Sequence, residues 1–511
     1  VTTRPTPSEP DPLLCAAFAD DLRAAGFTAE GLRGAWGDAA DDALARGLRS
    51  PAERALGTRD DALAVLGRLL VLGRAQDASA VDAALPRCTS TGLESLGIVV
   101  VQDGRAEASV LIHPQSFADA HGDGEWFVAS DLDEAALGGP LPEDHVLGVG
   151  GASLTLASLQ LPVPVATGLD LGCGCGIQAL RARRDVDRVV ATDVSPRALW
   201  LTRLNACLND VDGIDTRPGS LFEPVVGMRF HRIVSNPPFV ITPRGAGMPA
   251  YEYRDAGMAG DDLVAAFVAG VGAHLEAGGV AQLLGNWESR EGVDGLERVR
   301  AWVESSPVPL DAWVIERESL DPLSYAELWA RDGGTLPGTP AFGALVDAWL
   351  DDFAARGVEA VGLGYLLLRR PGEGRVTLRR FERIPHALPE GGLGAHLAAA
   401  LAAHDRLAHL DDERLAAALL VVAPDVTEAR HQVPGADAPT LIELRQGSGF
   451  TRSLSVDPAL AALVGACDGD LPVGALVAAI AELLEVDASA LRAELLPRVR
   501  ELVFTGFLGF A

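Results

Sequence analysis

An apolar run, Leu169-Asp170-Leu171, passes directly into Gly172-Cys173-Gly174-Cys175-Gly176 and then into a helical pattern from Ile177. Glycine at every second position suits a backbone that turns sharply and lets another group approach closely, because a Cβ would block that approach. Strand, glycine turn and helix open a βαβ unit, whose crossover is right-handed. The pattern then continues. Strand-like segments at 167–171, 188–193, 213–217, 231–235, 279–286, 310–317 and 360–369 alternate with helix-like segments that include 176–184, 196–209, 261–275 and 340–356. This alternation predicts an α/β fold with a seven-stranded, doubly wound, Rossmann-like parallel sheet and helices on both faces.

The 511 residues are too many for one hydrophobic core, so several domains are expected. Residues 1–144 read as an α+β accessory domain. Its helical patterns at 14–25, 29–46, 51–56 and 61–72 precede strand-like runs at 97–101, 108–112 and 125–128. Residues 145–371 hold the alternating core. Residues 372–456 read as an α+β extension, with strands at 375–381, 419–421 and 440–444 and a helix at 393–407. Residues 457–511 read as helix, turn, helix, helix, and are similar to small winged-helix or peptide-recognition modules; a packing or dimerisation appendage is the other reading.

Apolar residues make up 48% of the chain and charged residues 22%, the balance of a globular protein. The formal net charge of -29 argues against a free, high-affinity nucleic-acid binder, which usually shows a basic face. The six cysteines are scattered, with neither zinc-type spacing nor a disulfide framework, and the histidines form no metal constellation. No run reaches the ~18 apolar residues of a membrane span. A cytoplasmic protein without metal or membrane partner is expected.

The second strand ends in Ala191-Thr192-Asp193-Val194, 17 residues after Gly176 at Asp193. An acidic residue there can accept both hydroxyls of a ribose. The competing reading makes Asp193 a cap for the helix entered at Ser195-Pro196. Glycines at every second residue differ from the dinucleotide spacing and suit a ligand without pyrophosphate. A turn, Gly219-Ser220-Leu221-Phe222-Glu223-Pro224, follows the third strand. The fourth, Arg232-Ile233-Val234-Ser235, closes on Asn236-Pro237-Pro238-Phe239. A planar amide or exocyclic amine is a poor nucleophile because its lone pair is delocalised. The Asn236 carbonyl can accept one of its N–H bonds and the Pro237 carbonyl the other, while Phe239 stacks on the flat group. Nitrogen can then move toward sp³, and catalysis rests on positioning and electrostatics.

These residues together resemble class I S-adenosylmethionine (SAM)-dependent methyltransferases of the methyltransferase small domain group. That group includes release-factor glutamine N5-methyltransferases, adenine-N6 enzymes and guanine-N2 rRNA enzymes. The resemblance covers about 145–290 and extends at most to 371. It implies the seven-stranded methyltransferase sheet, whose last strand is antiparallel, and SAM as cofactor. It places SAM against Asp170, Gly172, Gly174, Gly176, Asp193, Val194, Ser220, Leu221, Asn236 and Gly150. Asn236, Pro237 and Phe239 take the catalytic role, and Phe239, Val240, Tyr253 and Trp287 contact the acceptor, with a place in the core the other reading of Trp287. The family usually carries an acidic residue on the adenine after strand three. Ser220 stands there in this chain, leaving backbone groups of Ser220 and Leu221 to replace it. The guanine branch typically places His after the aromatic residue, where this chain has Val240. The Tyr251–Asp255 segment also sides with the glutamine branch. The resemblance therefore implies an N-methyltransferase acting on a protein side-chain amide. Exocyclic-amine methylation of rRNA or tRNA is the alternative, followed by tailoring of a small molecule and by a catalytically idle SAM sensor.

Overall fold

Buried β-branched and leucine-rich runs flanked by glycine turns fix the central sheet. The computed structural model describes residues 8–119, 121–138, 141–142, 144–244, 257–386, 392–435 and 438–511. Eight strands form one sheet: β1 (Val165–Leu171), β2 (Val186–Asp193), β3 (Ile214–Pro218), β4 (Phe230–Ser235), β5 (Leu275–Arg290), β6 (Asp311–Leu320), β7 (Val358–Arg369) and β8 (Arg379–Arg383). Their order is β8-β6-β7-β5-β4-β1-β2-β3. Strands β3, β2, β1, β4 and β5 run parallel to one another, and β7 is antiparallel to both β5 and β6. The doubly wound α/β sheet is therefore present, with the antiparallel late strand that the resemblance implied.

One strand more than expected belongs to it. Strand β8 lies within the segment read as a separate extension, yet it pairs in parallel with β6. Asp311 makes that possible. Its Oδ1 accepts the backbone N–H groups of Thr377 and Leu378 at 2.7 and 2.9 Å, and its Oδ2 accepts from Arg369 at 2.9 Å. This buried anchor turns the chain back onto the sheet edge, so the boundary expected at 371 moves to 383.

Helices cover both faces: α1 (Gly151–Leu159), α2 (Ile177–Ala182), α3 (Pro196–Leu208), α4 (Asp262–His274), α5 (Gly295–Glu304), α6 (Pro322–Asp332) and α7 (Pro340–Ala355). Helix α3 starts where its sequence says it should. Ser195 Oγ accepts the Ala198 N–H, and Pro196 occupies the first turn. Against one sheet face, Phe267, Val268 and Val271 of α4 and Val299 and Val303 of α5 bury Leu169, Ile233 and Leu283.

The first compact unit holds residues 1–157 and 164–383, so the segment expected as a separate N-terminal domain packs with the sheet. Phe18, Leu22, Phe127 and Val128 share one core with Ile177, Leu180, Trp200 and Leu204. Two asparagines a turn apart, Asn205 on α3 and Asn209 at its C-cap, complete the join. Asn205 accepts the Ala129 N–H at 2.7 Å and donates to the Ala129 carbonyl at 2.9 Å, and Asn209 pairs with both backbone groups of Phe127 at 2.8 and 2.9 Å. Their amides thus satisfy the edge of the 110–131 hairpin as another strand would.

The second unit comprises residues 158–163 and 384–511. Strand Leu419–Val422 lies between Asp468–Pro472 and Leu508–Phe510, antiparallel to both. The boundary expected at 456/457 therefore cuts through a sheet built from both sides of it. A second antiparallel sheet joins Val426–His431, Leu441–Gln446 and Ser453–Val456. No helix among the described residues is long and apolar enough to cross a membrane.

Candidate active site

Strand order reverses between β1 and β4, and the crevice beyond their carboxyl ends is where open α/β sheets bind ligands. Gly172 follows β1 and Asn236 follows β4. A cavity of about 700 Å³ opens there, walled by the 145–153 segment, the glycine loop, the end of β2, the turn after β3, residues 236–240 and part of α6.

The three glycines divide their labour. Gly172 (φ +74°) and Gly174 (φ +54°) line the cavity in left-handed conformations, and a Cβ on either would enter open space. They leave a cradle for a ligand. Gly176 (φ +84°) does something else: a Cβ there would meet Thr202 at 2.9 Å. It lets the loop pack on α3 and does not line the cavity, which corrects its expected ligand contact.

Asp170 is corrected in the same way. It is fully buried behind the loop, off the cavity wall, and neither carboxylate oxygen makes a well-formed hydrogen bond. Burial pushes its carboxyl up to about 8, partly opposed by the Ala179 N–H. The folded protein therefore holds a proton that the unfolded chain releases near pH 4, and stability falls as pH rises from about 4 to about 8. Thermal unfolding of Asp170→Asn should show the variant gaining on the wild type across that window, by up to ~1.4 kcal/mol per pH unit. A pH-independent difference would contradict the assignment.

Asp193 stands at the end of β2 and lines the cavity. Oδ2 accepts the Gly174 N–H at 3.0 Å and Oδ1 accepts the Ser195 N–H at 2.9 Å. Ser195, not Asp193, caps α3. Each oxygen keeps acceptor capacity beyond its one bond. Burial raises the carboxyl above its usual range, opposed by the N–H groups of Ser195, Gly174 and Val194. Next to it Val194 is 57% exposed although apolar, and Leu147, which also lines the cavity, is 47% exposed. Such a pair suits a flat apolar-faced group such as a purine. Ser220 and Leu221 line the same end, with Leu221 at φ +45°. Gly219 turns tightly enough that a Cβ would lie 2.6 Å from Pro224.

The segment before β1 forms another wall, and Gly150 is among its lining residues. Ser153 ties this wall to both motifs. Its carbonyl accepts from Gln178 at 2.7 Å, and its hydroxyl accepts from Asn236 Nδ2 at 3.4 Å. Asn236 Oδ1 is buried and has no hydrogen-bond partner. A buried carbonyl left unbonded costs about 1–3 kcal/mol, so this oxygen keeps acceptor capacity for a donor.

Pro237, Phe239 and Val240 line the cavity together with Asn236. Phe239 meets the edge of Trp329 on α6, ring centroids 6.4 Å apart at 68°. Sequence reasoning missed Trp329 and Asp332 because α6 lies about 90 residues downstream; its signal is the Asp321-Pro322 entry followed by Tyr325, Ala326, Trp329 and Ala330 on one face. Trp287 is not at the site. It is fully buried in the sheet layer and donates its indole N–H to Glu316 at 2.8 Å. Tyr253 and the Tyr251–Asp255 segment lie outside the described residues. Among the described residues no group of three His, Cys, Asp or Glu could hold a metal ion.

Residues 150–248 match the family described as the methyltransferase small domain, over the segment that carries Gly150, the glycine loop, Asp193 and Asn236–Val240. Residues 24–109 and 401–509 match two families each described as a domain of unknown function, DUF7059 and DUF7782. The chain is similar to the release factor glutamine methyltransferase of Aquifex aeolicus (strain VF5), 53% identical over 51 residues, which is 10% of this chain and 18% of that protein. It is also similar to the release factor glutamine methyltransferase of Xylella fastidiosa (strain Temecula1), 34% identical over 124 residues, 23% of this chain and 45% of that protein. The chain thus spans less than half the length of either relative. Among solved structures, the ribosomal protein L11 methylase of Lactobacillus delbrueckii subsp. bulgaricus is 24% identical with a TM-score of 0.21, covering 27% of this chain and 62% of that one.

Proposed function

We propose that this chain, similar over 150–248 to the methyltransferase small domain, moves a methyl group from SAM to a planar nitrogen, and that the acceptor is a protein side-chain amide of the glutamine type. The observation that carries the reading is the unbonded, buried Oδ1 of Asn236 beside Phe239 on the wall of the cavity. The residues fit the cofactor. Gly172 and Gly174 leave open the space that a Cβ would fill, and Asp193 lines the cavity with acceptor capacity to spare. Gly150, Val194, Ser220 and Leu221 complete its surroundings. When bound, SAM supplies a methyl group already activated on a sulfonium.

The protein's own task is to make an amide nitrogen nucleophilic. Asn236 Oδ1 accepts one N–H and the Pro237 carbonyl the other, which draws the nitrogen out of conjugation as it attacks. Phe239 fixes the plane of the group. Preorganised acceptors of this kind act without a strong base, and the proton leaves after transfer. A glutamine-type acceptor agrees with the net charge of -29 and with the names of the similar proteins.

Purified protein with tritiated methyl-SAM and cell lysate tests the acceptor class. Label that is lost to protease and retained after nuclease is the expected result. Label lost only to nuclease would replace the amide by an exocyclic amine of RNA, and a steep salt dependence would accompany it.

A further inference from the structure

Strands β6 and β7 are antiparallel neighbours, which two residues can connect. Here residues 321–357 intervene and build the helical pair α6 and α7. The sheet does not need this insert, and the insert reaches the loop that leaves Asn236. Tyr325 Oη on α6 accepts the Ile241 N–H at 2.9 Å, and Trp349 Nε1 on α7 donates to the Ile241 carbonyl at 2.7 Å. Both backbone groups of one residue, two positions past Phe239, are thus held by side chains of the insert. Asn286 on β5 donates to the same Tyr325 oxygen at 2.9 Å and ties the clamp to the sheet. All four residues are buried, Tyr325 and Ile241 at no more than 1% exposure. On the side facing the cavity, the same helix presents Trp329 edge-on to Phe239.

We infer that the α6–α7 insert is part of the acceptor site: Tyr325 and Trp349 are positioning residues that fix the Asn236–Ile241 loop, and Trp329 is the wall that meets the acceptor group laid on Phe239. The inference rests on the amide-methylation reading and goes beyond it by assigning acceptor orientation to residues outside the matched 150–248 segment. A planar nitrogen must present its lone pair along one line, so a loop free to shift would lose rate without losing cofactor. The cofactor end of the cavity, at Gly172, Gly174 and Asp193, lies on other elements and keeps its geometry when the clamp is cut.

Tyr325→Phe removes only the hydroxyl and keeps the ring against Phe353 and Trp329. Trp349→Phe removes the other half of the clamp independently. Each full-length variant is assayed with saturating tritiated SAM against increasing lysate protein, which separates maximal rate from half-saturating acceptor, and its SAM affinity is measured by calorimetry. The expected result is a maximal rate lower by about 10² in each variant, the scale of a misplacement near 1 Å, with SAM affinity within threefold of wild type. Trp329→Leu should instead raise the half-saturating acceptor concentration about tenfold, the loss of one aromatic contact. Wild-type rates in both clamp variants would overturn the inference, and so would parallel loss of rate and SAM affinity, which marks a purely structural role. Failure of the underlying reading looks different: the wild-type protein itself would transfer no label to lysate protein.

Discussion

Replacing Asn236 by alanine is expected to lower maximal turnover by about 10²–10³ while SAM affinity stays within threefold. The magnitude is that of losing one preorganised hydrogen-bonding group at the reacting centre. It is this large because Asn236 is asked to do two things at once. Its buried, unbonded Oδ1 is the acceptor proposed for the substrate amide, and its Nδ2 donates to the Ser153 hydroxyl. Initial rates with labelled SAM, together with calorimetry, separate the two contributions. Equal losses in rate and SAM affinity would mean that Asn236 holds the cofactor and not the acceptor.

Asp193→Ala is expected to weaken SAM binding by about a hundredfold, because hydrogen bonds to a charged acceptor contribute about 1.5–3 kcal/mol and 1.4 kcal/mol is a factor of ten. Part of the loss comes from the Gly174 N–H, which Asp193 pins at the mouth of the glycine cradle. The carboxyl is raised by burial, so its protonated form gains ground as pH falls, and SAM affinity should decline on the acid side. Asp193→Asn should flatten that decline. Unchanged affinity in Asp193→Ala would reduce the residue to the turn that admits Ser195.

Much of the fold was legible because period and punctuation agree along 165–371. Apart from the half-buried edge strand β3, each strand from β1 to β7 contains a buried apolar run bounded by turn residues, and the register of the sheet follows. The site was legible where a residue type has one physical use. Gly172 and Gly174 need positive φ beside open space, and Asn236 between a strand end and two prolines has few reasons to exist as core. Other residues deceived because their reason lies across the fold. Gly176 looks like its two neighbours, but what it accommodates is Thr202 on α3. Trp287 and Asn286 are adjacent on β5 and point to opposite faces, so Asn286 reaches the Tyr325 clamp while Trp287 goes to Glu316. Strand β8 was invisible as part of the sheet because its entry depends on Asp311, 66 residues before Thr377. Trp329 and the α6–α7 insert were invisible as site elements for the same reason: a helix pattern announces which face is buried, not which loop it will grip.

On the proposed reading the methyl group ends on an amide nitrogen. Acid hydrolysis of the tritiated protein product tests it most directly. Cleavage of an N-methylated side-chain amide releases the label as methylamine and leaves an unlabelled acidic residue, and that is the expected result. Label that stays on a basic amino acid through hydrolysis, or leaves as methanol from an ester, would contradict it.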